Sequence, residues 1–178
     1  MKLFYTLLLL LVGLLTSSPS VAQGSLAALD TKNGFKDAKF GMPLSAFKGM
    51  VLQKNHNPFS TSSTKICRRP TYENKVGNIK LDYVEYEFTD DVLYVIVFTV
   101  KGMANCKNVL KAIQSAYGPG EVWPTKMGMS WKGKEVYLNL LPMRDGEGVN
   151  EDEYYRFQMG RNSPIKNSTL SQNMANDL

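Results

Sequence analysis

From Val92 to Val100 the chain is built of valine, isoleucine, leucine and aromatic residues, with Thr99 as the one small polar residue. Such an unbroken run suits a strand covered on both faces, near the centre of a sheet. The stretch before it, Asn78 to Phe88, is also rich in β-branched and aromatic residues, and Thr89-Asp90-Asp91 between the two offers polar turn chemistry. The centre of the chain therefore reads as a β-hairpin. In its first arm Ile79, Leu81 and Tyr83 share one parity, and Val84, Tyr86 and Phe88 share the other. That switch predicts a bulge or a change of covered face near Tyr83-Val84.

Elements on either side follow from the same patterning. Pro43 to Lys48 is expected as a short helix, with proline at its first position, where a missing N–H costs nothing. Asn105 to Tyr117 is expected as a longer helix capped by Asn105. Cys106, Val109, Leu110, Ile113 and Tyr117 fall on its apolar face, and Gly118-Pro119 ends it. Strands are expected at Met127 to Trp131, at Glu135 to Leu141 with Val136, Leu138 and Leu140 inward, and at Glu153 to Met159 with Tyr155, Phe157 and Met159 inward. Short turns between adjacent strands mean antiparallel pairing. The fold class is α+β: an antiparallel twisted sheet with two helices packed on one face. The order reads helix, three strands, helix, three strands, which raises the expectation of a degenerate repeat.

The N-terminus sets the compartment. Lys2 is basic, Leu7 to Leu15 is apolar apart from Gly13, and Ser20-Val21-Ala22 places small residues where a signal peptidase cuts. Residues 1–22 read as a secretory signal peptide, and the apolar run is shorter than the ~20 residues of a membrane span. No membrane span is expected after cleavage, and the protein is expected to be secreted or periplasmic. Residues 23–33 read as a flexible leader, 34–160 as a single α+β domain, and 161–178 as a disordered polar tail. The net charge of +5 is mild, and no basic run exceeds Arg68-Arg69. Nucleic acid, which selects a concentrated basic face, is not expected as a partner.

Two cysteines, Cys67 and Cys106, are present. In an oxidising compartment an even count predicts a disulfide, which over this loop contributes about 4 kcal/mol by chain entropy. With one histidine they cannot form the usual four-ligand zinc site, and no metal or cofactor is expected. The acidic stretch Asp145 to Glu153 lacks the spacing of a calcium loop.

The candidate binding surface is the polar loop from Asn55 to Arg69, holding His56, Lys65, Arg68 and Arg69, together with Trp123 in a Gly-Pro-rich loop. Arginine forks grip carboxylates and phosphates, and aromatic rings anchor interfaces. The resulting expectation is an exported non-enzymatic binding or accessory domain whose partner is an envelope protein or a glycan. The competing expectation is a small exported hydrolase that uses His56 with carboxylates.

Overall fold

The computed structural model describes residues 24–56, 64–69, 75–124, 128–142 and 154–163. The expected signal peptide, the acidic stretch Asp145 to Glu153 and residues 164–178 of the expected tail lie outside these.

The first described element is a helix, α1 (Leu26–Lys32), which replaces the expected flexible leader. Leu29 on its inner side is fully buried, and its Asp30 is held by the distant backbone N–H groups of Lys134, Glu135 and Val136, so two anchors order it. A two-residue hairpin follows, β1 (Gly34–Phe35) and β2 (Ala38–Lys39). The helix expected at Pro43 to Lys48 is only a 3₁₀ turn, Leu44–Ala46. Backbone bonds hold the start of this segment to the Asp91–Leu93 stretch, from the Leu44 N–H to Asp91 and from the Leu93 N–H to Met42.

Strands β3 (Val51–His56) and β4 (Thr64–Arg68) come next, then a small separate hairpin, β5 (Lys75–Val76) and β6 (Ile79–Lys80). The long central pair is β7 (Tyr83–Thr89) and β8 (Val92–Lys101). The parity switch in the sequence is therefore a change of sheet: Ile79 pairs with Val76, while the main strand starts at Tyr83. The bulge falls further on, between Glu87 and Phe88 opposite the Leu93–Val95 stretch of β8. Asp90 and Asp91 both take positive φ, 51° and 63°, as a tight two-residue hairpin turn with right-handed twist demands.

Helix α2 (Met103–Tyr117) begins two residues before its expected start, with Gly102 at its N-cap. Asn105 does not cap it: its side-chain amide donates back to the Lys101 carbonyl at 2.9 Å. Cys106, Val109 and Ile113 are buried as the periodicity implies. The chain then forms β9 (Glu121–Val122), a strand not anticipated, followed by β10 (Met129–Lys132), β11 (Val136–Pro142) and β12 (Tyr154–Arg161). Arg161 and Asn162, expected in the tail, belong to the fold. The Asn162 backbone N–H donates to Glu135, and its side chain donates to the Gly133 and Lys134 carbonyls.

The main sheet has the order β3-β4-β7-β8-β12-β11-β10-β9, antiparallel throughout. It is two four-strand meanders, each preceded by a helix and each ending at the centre of the sheet, where β8 pairs with β12. The alternation of each strand sends Tyr86, Ile96, Phe98, Phe157, Met159, Leu138 and Trp131 to one face, where the two helices and the Leu44–Met50 segment cover them. Val92 to Val100 occupies the centre as expected, with Val95 to Val100 buried. Among the described residues, no helix is long and apolar enough to cross a membrane.

The expected Cys67–Cys106 disulfide is not formed. Both sulfurs are buried thiols. Cys67 stands on β4, two strands from the β8 strand that leads into α2, which is roughly 10 Å across a sheet of ~4.8 Å strand spacing. A disulfide joins Cα atoms within about 7 Å. Cys67 instead lines a recess with Leu44, Phe47 and Met50, while Cys106 sits under the first turn of α2.

Candidate functional site

Alternation along β4 decides the fate of the basic cluster. Arg68 and Arg69 are neighbours in sequence, so they emerge on opposite faces of the sheet. Arg69 turns to the helix side and is buried, at 8% exposure. Its guanidinium lies 5.0 Å from the Phe47 ring centroid and 5.5 Å from that of Tyr86, and it donates to Asp37 at 2.9 Å. This arrangement ties the β1–β2 turn to the core. Lys65 pairs with Asp91 at 2.6 Å, bracing the β7–β8 turn. Arg68 faces the other way, forks onto Glu85 through Nε at 3.1 Å and Nη2 at 2.6 Å, and stacks 4.4 Å from the Tyr83 ring.

His56 ends β3, where its backbone pairs with Thr64 at one edge of the sheet. Trp123 follows β9 at the opposite edge, half-buried, with its backbone N–H donating to Gly128 at 3.0 Å. The five candidate residues are thus not one patch. Arg68 and Trp123 belong to the face away from the helices, and Lys65 and Arg69 are engaged in holding turns.

That face, helix-free among the described residues, is an ordered surface in its own right, and the sequence reading missed it. Register places three rows across its middle. Tyr83, Thr99, Arg156 and Leu141 form the first; Glu85, Val97, Gln158 and Asn139 the second; Glu87, Val95, Gly160 and Tyr137 the third. Val97 and Thr99 are fully buried at the floor, and half-buried tyrosine, arginine, glutamate and glutamine side chains surround them. Arg156 faces Glu87 at 3.9 Å. Gln158 donates to the Tyr137 hydroxyl at 3.3 Å, and the Tyr137 ring lies directly over Gly160, where a side chain would strike it. Burial pushes the Tyr137 phenol above its ordinary range, so it stays protonated.

Toward the β9 edge the face sinks into a cleft of about 340 Å³, lined by Trp123, Glu121, Ser130, Lys132, Tyr137 and Asn139, with Asn162 at its end. One signal could have found this surface: polar residues of β7, β11 and β12 alternating with the buried ones include tyrosine and arginine more often than lysine. What was not legible is that these strands lie beside each other.

Among the described residues, no three or more histidine, cysteine, aspartate or glutamate side chains gather as a metal site. The face presents ring faces, an arginine fork, amides and fixed carboxylates. A scan against family models, a search of curated proteins and a search of solved structures each match nothing to this chain.

Proposed function

We propose that this protein is an exported, non-enzymatic binding domain that works in the periplasm or outside the cell and takes an envelope protein on the helix-free face of its sheet. Export rests on the basic, apolar and small-residue regions of Met1 to Ala22. One observation carries the binding surface: Tyr83, Arg68, Arg156, Tyr137 and Gln158 stand half-buried and already paired on a broad strand platform. Tyrosine and arginine are the residues that dominate the energetics of protein interfaces. Side chains fixed before association lose little rotamer freedom on binding, so the contact area is converted to affinity efficiently.

A photo-crosslinking amino acid placed at Asn139 or Gln158, in the exporting cell, tests this reading. A discrete crosslinked protein from these positions, with none from Lys111 on the exposed side of α2, is the expected result. Equal labelling from Lys111 and the sheet face removes the proposal.

The Trp123 cleft favours a second reading, in which the partner is a glycan. A ring beside Asn139, Ser130 and Glu121 offers a stacking plane and polar groups at the scale of one sugar unit. Quenching or a blue shift of tryptophan fluorescence with soluble cell-wall oligosaccharides, lost in Trp123→Ala, distinguishes it from the protein partner.

A further inference from the structure

On the helix side of the sheet, α2 does not close fully onto the strands. Between it, the β1–β2 hairpin and the β5–β6 hairpin lies a cavity of about 320 Å³. Phe35, Phe98, Val109, Ile113, Leu138 and Met159 form its walls. Phe35 stacks on Phe98 at 5.3 Å, and Phe98 stacks on Phe157 at 5.0 Å, so the floor is a ladder of rings fixed by one another. Ala112 and Ala116 stand one turn apart on the stretch of α2 that lines the space, where longer side chains would fill it.

The space is held open. Both ends of α2 are tied to the sheet: the Tyr155 hydroxyl donates to Met103 Sδ at 3.5 Å at the first turn, and the Trp131 indole N–H donates to the Gly118 carbonyl at 2.9 Å past the last. A helix anchored at both ends cannot settle onto the strands, and a gap whose walls cannot collapse stays a gap. Interiors otherwise pack to crystal-like density, and apolar space of this size within a small domain is the usual form of a small-molecule site.

We propose that this cavity binds an uncharged apolar molecule about the size of two fused rings. The volume sets the size: an apolar cavity of ~150 Å³ accepts one benzene ring, and this one is about twice as large. The walls set the charge. An ion placed against phenylalanine, valine, isoleucine, leucine and methionine side chains gives up its hydration with nothing polar to replace it. Lys32 and Lys75 reach the lining from exposed positions, and the Lys36 ammonium already lies over the Phe35 ring, 5.6 Å from its centroid, so the interior is left to apolar side chains. The cavity lies on the side of the sheet away from the surface assigned above to a partner protein, so it stands or falls independently of that assignment.

Calorimetric titration of the purified protein with neutral naphthol, anionic naphthoate and cationic naphthylmethylammonium tests this, with phenol as the single-ring comparison. Naphthol is expected to bind one to one, at least about tenfold more tightly than either ion or phenol, and to raise the melting temperature at saturation. Ala112→Phe, filling the cavity from α2, and Val76→Phe, filling it from the β5–β6 hairpin, should each abolish binding. Lys111→Phe, at an exposed position of α2 outside the lining, should not. Fillers on two separate elements keep the test decisive if one of them unfolds the chain. No saturable naphthol binding, an ion that binds as tightly as naphthol, or binding that survives in a folded filler variant overturns the proposal. So does a dimer in sedimentation that a filler variant dissolves, because the occupant is then a second copy of the chain.

Discussion

The carboxylate of Asp30 accepts the backbone N–H of Val136 at 2.9 Å, across 106 positions of sequence. The same carboxylate accepts the N–H groups of Lys134 at 2.7 Å and Glu135 at 2.9 Å, so one side chain takes three successive backbone donors of the β10–β11 turn. Gly133 makes the approach feasible, because a Cβ there would collide with the Asp30 carboxylate. Helix α1 is thereby pinned to the far half of the sheet.

Asp30→Asn is expected to destabilise the protein by about 1–3 kcal/mol, the range for losing charge-assisted bonds while turn donors are left unpaired. Burial works to raise the Asp30 pKa, but the three backbone donors outweigh it and hold the carboxyl below its ordinary value. A depressed folded pKa means stability that is present above the unfolded value, about 3.9, and lost as pH falls through the folded one. Urea unfolding between pH 7 and pH 2 checks this: the gap between wild type and Asp30→Asn should close in acid. Gly133→Ala should cost a similar amount, and the double variant less than the sum.

Arg68 and Arg69 should respond unequally to removal. Arg69→Ala loses a buried stem, two ring contacts and the tie to Asp37, for an expected loss of about 2–3 kcal/mol. Arg68→Ala, whose ion pair with Glu85 is part-exposed, should cost less than about 1 kcal/mol. Chemical denaturation of both variants measures the difference; equal losses would contradict the assignment of opposite faces.

Two thiols should be counted in the denatured, unreduced protein. In the native protein Cys67 should react slowly with a thiol reagent, because it is buried and burial raises its pKa, leaving little thiolate. Reductant should leave the melting temperature unchanged, since no covalent clamp contributes to stability.

Gly160→Ala should disturb the helix-free face more than the core. The added methyl would meet the Tyr137 hydroxyl oxygen at 2.6 Å and force the ring off the strand. A stability loss of about 1 kcal/mol is expected, the scale of one displaced side-chain hydrogen bond. Crosslinking from Gln158 should fall much further than stability does. Circular dichroism and the crosslinking yield, measured on the same preparation, separate the two effects.

Much of the fold was legible because it follows local periodicity. Val136, Leu138 and Leu140 alternate, Cys106, Val109 and Ile113 recur at helical spacing, and Val92 to Val100 carries the apolar density of a central strand. The polar turn at Asp90-Asp91 was legible for the same reason: its requirement is written in adjacent residues. The failures are equally physical. Pro43 to Lys48 has helix chemistry, but its start is bonded to β8 and the adjoining turn. The segment from Asn78 has strand chemistry throughout, but its residues belong to two sheets.

The candidate site was barely legible. Lys65, Arg68 and Arg69 form a cluster in sequence, yet strand alternation divides them between faces, and the same alternation assembles Tyr83, Arg156 and Tyr137 from segments far apart in the chain. The sequence by itself determined the α+β class, the central hairpin, the amphipathic helix and the apolar face of each strand, because each depends on residues within a few positions. Only the tertiary structure decided that the thiols stay apart and that Asp30 closes a turn 106 positions away. Those depend on which strands lie side by side, and strand order is set by the packing of the whole chain.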